Sequence, residues 1–131
     1  MLKFEGEYIN GLKNGKGKRY NYEGILEFEG EYLNGNKWKG KGYEGFGLNN
    51  IVYELKNGKG YVKEYNSDGT LYFEGEYLNG ERNGKGKGYE NDNKLKFEGE
   101  YLNGERNGKG KEYNYKGELE FEGAYLNGKR I

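Results

Sequence analysis

The stretch "LKFEGEYLNGERNGKGKEYNYKG" at Leu95–Gly117 decides how this 131-residue chain folds. Its first part alternates strictly, with Leu95, Phe97, Gly99 and Tyr101 pointing one way and Lys96, Glu98, Glu100 and Leu102 the other. Period two with aromatic residues is a strand signal. "NGERNG" (Asn103–Gly108) is a turn cluster, because Asn and Gly tolerate the positive φ that tight turns demand. "KGKEYNY" (Lys109–Tyr115) is the return strand, and "NYKG" (Asn114–Gly117) turns the chain onward. "NSDG" and "NDNK" play that last part in other units. The whole stretch reads as one β-hairpin. With 26 Gly no helix is expected, and with no Pro no ladder donor is missing.

The hairpin recurs. "FEG" starts at Phe4, Phe28, Phe73, Phe97 and Phe121, at spacings of 24, 45, 24 and 24 residues. The long gap holds one worn copy, "IVYELKNGKGYVKEYNSDG" (Ile51–Gly69), which keeps "NGKG" (Asn57–Gly60) and lacks "FEGEY". The chain is thus expected to be a single array with units at about 4–27, 28–48, 49–72 (degenerate), 73–96, 97–120 and a half unit at 121–131. The expected fold class is all-β: an elongated, twisted, single-layer antiparallel sheet of stacked hairpins. It has about eleven strands, with uncovered edges at both ends.

Charge supplies a register. With Asn103–Arg106 as the loop and Leu102 opposite Asn107, Glu100 faces Lys109, Glu98 faces Lys111, Gly99 faces Gly110 and Tyr101 faces Gly108. Glu76/Lys85 and Glu74/Lys87 repeat the pattern, as do Glu7/Lys16 and Glu5/Lys18. Opposite charges directly across a ladder contribute about 0.2–1 kcal/mol each, and a one-residue slip loses all of them. Each strand glycine stands beside or opposite a Phe or Tyr, so a ring is expected to lie across bare backbone.

Composition narrows the function. Leu, Ile, Val and Phe number 24 of 131 residues, fewer than an ordinary core requires. Aromatic residues reach 17%, which is not the signature of disorder. A structure one aromatic layer deep reconciles the two. The 22 positive and 22 negative residues cancel, leaving no basic excess to neutralise nucleic-acid phosphates. There is no Cys for disulfides or thiolate metal sites. The start "MLKFEGEYIN" lacks the apolar run of a signal peptide, and no stretch is long enough to span a membrane. An intracellular, cytoplasmic location is the default expectation; a secreted chain whose signal had been removed stays open.

The positions Phe4-x-Gly6-x-Tyr8-x-x-Gly11-x-x-Asn14-Gly15-x-Gly17, followed by Gly24, resemble the MORN repeat. The pattern recurs at Phe28, Phe73 and Phe97, and in part at Phe121. The period of 24 is slightly longer than is usual for that repeat. Asn14, Asn83 and Asn107 stand where His is common, and Tyr replaces Trp. "LKFEGEYLNG" also resembles the variant MORN repeats of a bacterial antitoxin-like family. The resemblance implies a ribbon of stacked hairpins with a role in scaffolding, dimerisation, partner-helix binding or phosphoinositide binding.

Catalytic material is scarce. There is no His, and Ser67, the only Ser, sits in "NSDG" without a base to activate it. Glu98 and Glu100 recur as a pair in several units, each time facing lysines, so ladder pairing explains them better than acid–base chemistry. "GKGYEG" (Gly40–Gly45) opens no helix and reads as hairpin glycine, and so does the phosphate-loop-like "GERNGKG". Asp68 and Asp92 stand alone in turns and form no calcium loop. No catalytic, cofactor or metal site is expected.

Interaction is the better reading. Phe4, Tyr8, Phe28, Tyr32, Phe73, Tyr77, Phe97, Tyr101, Phe121 and Tyr125 form two rows whose members lie about 10 Å apart, two strand spacings. If open, that face is a groove for a protein helix or strand; the alternative is that the rings only cover glycine backbone. Trp38, the only Trp, with Phe46 nearby, is either a local patch for the worn unit or an interaction anchor. Lys16, Lys18, Lys85, Lys87, Lys109 and Lys111, with Arg82 and Arg106, could meet anionic lipid, although facing glutamates cancel much of that field. Ala124 replaces the Glu found at Glu7, Glu31, Glu76 and Glu100. Leu119, Phe121, Gly123, Ala124 and Tyr125 are therefore a candidate edge for self-association as a homodimer or fibre. The expected function is a non-enzymatic scaffold for a protein partner, with self-assembly and anionic-lipid binding as alternatives.

Overall fold

The computed structural model describes residues 3–44, 50–66, 69–90 and 93–131. Gly45, Phe46, Ser67, Asp68 and Asp92 lie outside the described residues. Among those described, twelve strands and no helix occur: β1 (Lys3–Ile9), β2 (Leu12–Tyr20), β3 (Leu26–Leu33), β4 (Asn36–Tyr43), β5 (Ile51–Leu55), β6 (Gly60–Tyr65), β7 (Leu71–Leu78), β8 (Glu81–Tyr89), β9 (Leu95–Leu102), β10 (Glu105–Tyr113), β11 (Leu119–Leu126) and β12 (Lys129–Arg130). Every pairing is antiparallel and between chain neighbours. The strands form one sheet ordered β1-β2-β3-β4-β5 and another of β6 to β12.

The glycine and charge register is as the sequence predicts in its central part. Gly99 faces Gly110, and Glu98 faces Lys111. Gly75 faces Gly86 and Glu74 faces Lys87, while Gly6 faces Gly17 and Glu5 faces Lys18. The loop differs. Leu102 pairs with Glu105 and Tyr101 with Arg106, so only Asn103 and Gly104 turn the chain. Their φ values, 50° and 89°, are those of the two-residue turn whose twist suits a hairpin. The surplus residues form a bulge between Arg106 and Gly110. There the Lys109 N–H donates to Glu100 Oε1 at 2.9 Å, while Tyr101 faces Gly84 of the preceding hairpin. "NGERNG" contains two Asn-Gly pairs, and the first one turns. A bulge on the return strand then restores the charge register.

The closing turns explain their Asn. Asn114 Oδ1 accepts from the N–H groups of Lys116 at 2.9 Å and Glu118 at 3.0 Å, and Asn21 does the same for Glu23 and Ile25. Each hairpin is thereby set beside the next, with Gly110 facing Gly123 and Lys111 facing Glu122.

One ring layer is the core. Phe28, Phe73 and Phe97 are fully buried, and Tyr32, Tyr101 and Tyr125 nearly so. Phe73, Tyr101, Phe97, Tyr125 and Phe121 follow one another edge to face at 5.3–5.7 Å, an arrangement worth about 0.5–1.5 kcal/mol per pair beyond its burial. The strand glycines make room for it. A Cβ on Gly110 would lie 2.6 Å from the Phe97 ring and 2.9 Å from that of Tyr125.

The sheet divides inside the third hairpin. By register Leu55 stands where other units have the outgoing glycine, since it faces Gly40. Val62 stands where they have the returning one, since it faces Gly75. Elsewhere those two glycines face each other closely: a Cβ on Gly99 would come 2.7 Å from Gly110 Cα. Two aliphatic side chains do not fit into that gap. Leu55 and Val62, each 1% exposed, fill the core instead, and the only ladder pairing between the arms of this hairpin, among the described residues, is an isolated Lys56–Lys59 bridge. This hairpin is also shorter. Asn57 and Gly58, with φ of 52° and 76°, are its turn rather than the start of its return strand.

Candidate interaction surface

Each sheet face carries its own chemistry, because side chains alternate along every strand. On the aromatic face the cation just past the turn of each of the five hairpins that carry Phe folds back over that Phe. Lys13 lies 4.5 Å from the centre of Phe4, Lys37 5.1 Å from Phe28, Arg82 3.9 Å from Phe73, Arg106 4.0 Å from Phe97 and Arg130 4.3 Å from Phe121. Carboxylates anchor several of these cations. Glu64 accepts from Arg82 Nε at 3.0 Å, Tyr77 Oη at 2.8 Å and Tyr72 Oη at 3.0 Å. Glu112 pairs with Arg106 at 2.8 Å and also with Arg130. Burial and Glu64 together push the Tyr72 hydroxyl up to about 12, and burial pushes the Lys37 ammonium down to about 8.

The structure therefore places the predicted aromatic rows as follows. Phe28, Tyr32, Phe73, Phe97, Tyr101 and Tyr125 are buried, Phe4, Tyr77 and Phe121 are half-buried, and Tyr8 alone is open at 56% exposure. Trp38 is half-buried and forms a one-residue bulge between Lys37 and Lys39. Its ring covers the turn of the shortened hairpin: a Cβ on Gly58 would meet it at 2.8 Å. Arg82 and Arg106 belong to this face and so stand apart from the lysine stripe. The bulge that moves them across was not legible in the spacing.

The opposite face is open. Across β6 to β11 one row reads Lys63, Glu74, Lys87, Glu98, Lys111, Glu122, with each residue facing the next. A second row carries Glu76, Lys85, Glu100, Lys109 and Ala124. Between the rows runs the backbone of Gly86, Gly99, Gly110 and Gly123, residues whose Cβ positions lie on the ring face, and it floors a trough of about 1020 Å³ with Tyr61 and Ala124 in its lining. A smaller trough of about 510 Å³ repeats the design over Gly6, Gly17 and Gly30. The lysines considered for lipid, Lys85, Lys87, Lys109 and Lys111, all line the larger one, each facing or bonding a glutamate except where Lys109 meets Ala124.

One feature of this face escaped the sequence reading. Ile9, Leu33, Leu78, Leu102 and Leu126, the residue before each long hairpin's turn, are 39–56% exposed. They share the side of the charged rows by alternation. An aliphatic rim thus borders the troughs, with members about 10 Å apart within a sheet. Five single residues spread along the chain gave no apolar run to notice.

The far edge is partly covered. Leu119, Phe121, Gly123, Ala124 and Tyr125 lie on β11, where Tyr125 and Leu126 pair with β12. The Ile131 N–H donates to the Ala124 carbonyl at 3.0 Å. The expected missing return strand is thus present as a short stub. No cluster of three or more potential metal ligands occurs among the described residues, and no helix there is long and apolar enough to cross a membrane.

The MORN repeat family matches residues 4–24, 73–87 and 97–118. No curated protein matches the chain.

Proposed function

We propose that this chain, three segments of which match the MORN repeat, a repeat associated with protein or membrane-lipid interaction, is a non-enzymatic scaffold that holds a polypeptide along its charged trough. The observation that carries this reading is the backbone-floored trough of about 1020 Å³ between two Lys/Glu rows. The residues between the rows point to the ring face, so only backbone lies under a partner in the trough. The alternating walls offer donors and acceptors to a segment of mixed charge, and the aliphatic rim supplies apolar contact that charge alone does not. The ring layer on the other face is filled and capped by its own cations. Lysines and glutamates that face one another leave little net field for an anionic membrane.

The test is affinity capture from the source cells with the wild-type chain and a row-inverted variant, Lys63→Glu with Glu74→Lys, Lys87→Glu, Glu98→Lys, Lys111→Glu and Glu122→Lys. Inversion keeps the alternation within the row while reversing what a partner meets. The proposal expects captured proteins to be lost with the variant and retained with Tyr8→Ala on the other face. Identical capture by wild type and the inverted variant would overturn it. Salt-sensitive flotation with anionic vesicles would favour the lipid alternative instead.

A further inference from the structure

Nine Asn-Gly dipeptides punctuate the chain. Six of them, at Asn10, Asn34, Asn57, Asn79, Asn103 and Asn127, form the hairpin turns, with φ of 48–54° at the Asn. All six Asn are exposed. An Asn-Gly pair modifies itself when the Gly nitrogen attacks the Asn Cγ. The new C–N bond closes a succinimide, the Cγ–Nδ2 bond breaks, and ammonia leaves with the Gly amide proton. Water then opens the ring to aspartate or isoaspartate. The reaction needs a free Gly nitrogen and an Asn backbone able to leave its turn conformation.

The array controls both requirements unequally. In three turns the Gly N–H is held by the preceding hairpin: Gly35 donates to the Lys13 carbonyl at 2.8 Å, Gly104 to Arg82 and Gly128 to Arg106, both at 2.9 Å. The Asn N–H of the same turns is held as well. Asn34 donates to Asn14 Oδ1 at 3.1 Å, Asn103 to Asn83 Oδ1 at 3.4 Å and Asn127 to Asn107 Oδ1 at 3.2 Å. In the two middle turns only the glycine is tied: Gly58 donates to the Trp38 carbonyl at 2.7 Å and Gly80 to that of Gly58 at 2.9 Å. Trp38 occupies the bulge where other units carry the latching Asn, and the shortened third hairpin has no such Asn after its turn. Among the described residues the Asn10–Gly11 turn has neither bond, and nothing there lies within 4 Å of a Cβ placed on Gly11.

We propose that the hairpin turns are a graded set of self-modification sites, with deamidation fastest at Asn10, intermediate at Asn57 and Asn79, and slowest at Asn34, Asn103 and Asn127. A net hydrogen bond changes the opening equilibrium about fivefold. The three classes should therefore differ by about fivefold per latch, or roughly twenty-five-fold between Asn10 and Asn103. Each event except that at Asn57 places a carboxylate, or a lengthened backbone, beside the aliphatic rim.

Peptide mapping by mass spectrometry of the intact chain, incubated at mildly alkaline pH, reads all the sites at once. The same chain in denaturant gives the reference, where the six turn sites should react alike. Asn83→Ala should raise the rate at Asn103 about fivefold while leaving Asn127 unchanged as the internal control. If that variant does not fold, Asn107→Ala asks the same question of Asn127 alone. Equal folded-state rates at Asn10 and Asn103 overturn the proposal, as does an unchanged Asn103 rate in folded Asn83→Ala.

Discussion

The guanidinium of Arg82 stands 3.9 Å from the centre of the Phe73 ring while its Nε donates to Glu64 at 3.0 Å. One side chain thus closes the ring layer against water and ties β8 to β6. Replacing Arg82 by Met keeps an apolar stem over the ring and removes the charge. The loss should be about 1–3 kcal/mol, from the cation–ring contact and the charged hydrogen bond together. Arg82→Lys should recover part of it, since Lys13 and Lys37 fill the same place over Phe4 and Phe28. Urea midpoints of the three proteins decide; a neutral Arg82→Met would show that the cap contributes nothing.

Two glycines of one hairpin should respond differently to alanine. At Gly99 a Cβ would lie 2.6 Å from the Lys109 carbonyl oxygen and 2.7 Å from Gly110 Cα, both backbone atoms that move only if the strands part. At Gly104 the space is open, and only a φ of 89° resists. Gly104→Ala should cost about 1–3 kcal/mol of backbone strain, and Gly99→Ala distinctly more. The expectation fails if the two variants unfold at the same denaturant concentration.

Glu98 lies between Lys87 and Lys111 on the charged face. Glu98→Lys would set three like charges in a row and should destabilise by about 0.4–2 kcal/mol, twice the usual cross-strand pair. Because these groups are solvated, the loss should shrink in 1 M salt, where the screening length is about 3 Å. A salt-independent loss would assign the effect to something other than charge.

Lys37 makes stability depend on pH in an unusual direction. Burial, with the Arg19 charge, holds its ammonium at about 8, against 10.5 ordinarily. Between those values the unfolded chain binds more protons than the folded one, so stability rises with pH there. The tyrosines act oppositely. Burial pushes Tyr32 and Tyr72 up to about 12 from 10.0, so the unfolded chain ionises first and stability falls above about pH 10. Denaturation from about pH 7 to 11 should show a shallow rise and then a steep fall, with Lys37→Met abolishing only the rise. A wild-type profile that never rises would contradict the assignment.

Much of this fold is legible in the sequence. Facing glycines, Glu opposite Lys, and rings over bare backbone follow from period two and charge, which act locally and repeat. One set of exceptions involves residues whose side of the sheet depends on a bulge. Arg82 and Arg106 share a strand with Lys85 and Lys109, and only the surplus residues between them send the arginines to the rings. The opening in the third hairpin was hidden for another reason. "NGKG" at Asn57–Gly60 matches the return-strand motif by letter, yet Asn57 and Gly58 serve as a turn. Leu55 and Val62 then take over the glycine positions.

The Leu55–Val62 wedge has an elastic consequence. Within each sheet a load along the ribbon is shared by rows of backbone hydrogen bonds, which are directional and stiff. At β5 and β6 it passes through the Lys56–Lys59 bridge, the two backbone bonds that link Gly58 to Trp38 and Gly80, and an oily contact that has no preferred direction. The ribbon is thus two stiff blades joined by a compliant segment, and strain imposed anywhere collects between Leu55 and Val62. Stretching single molecules should show first yielding there, and a cysteine pair that bridges Lys56 and Lys59 should raise the yield force. An unchanged first event would place the weak point elsewhere.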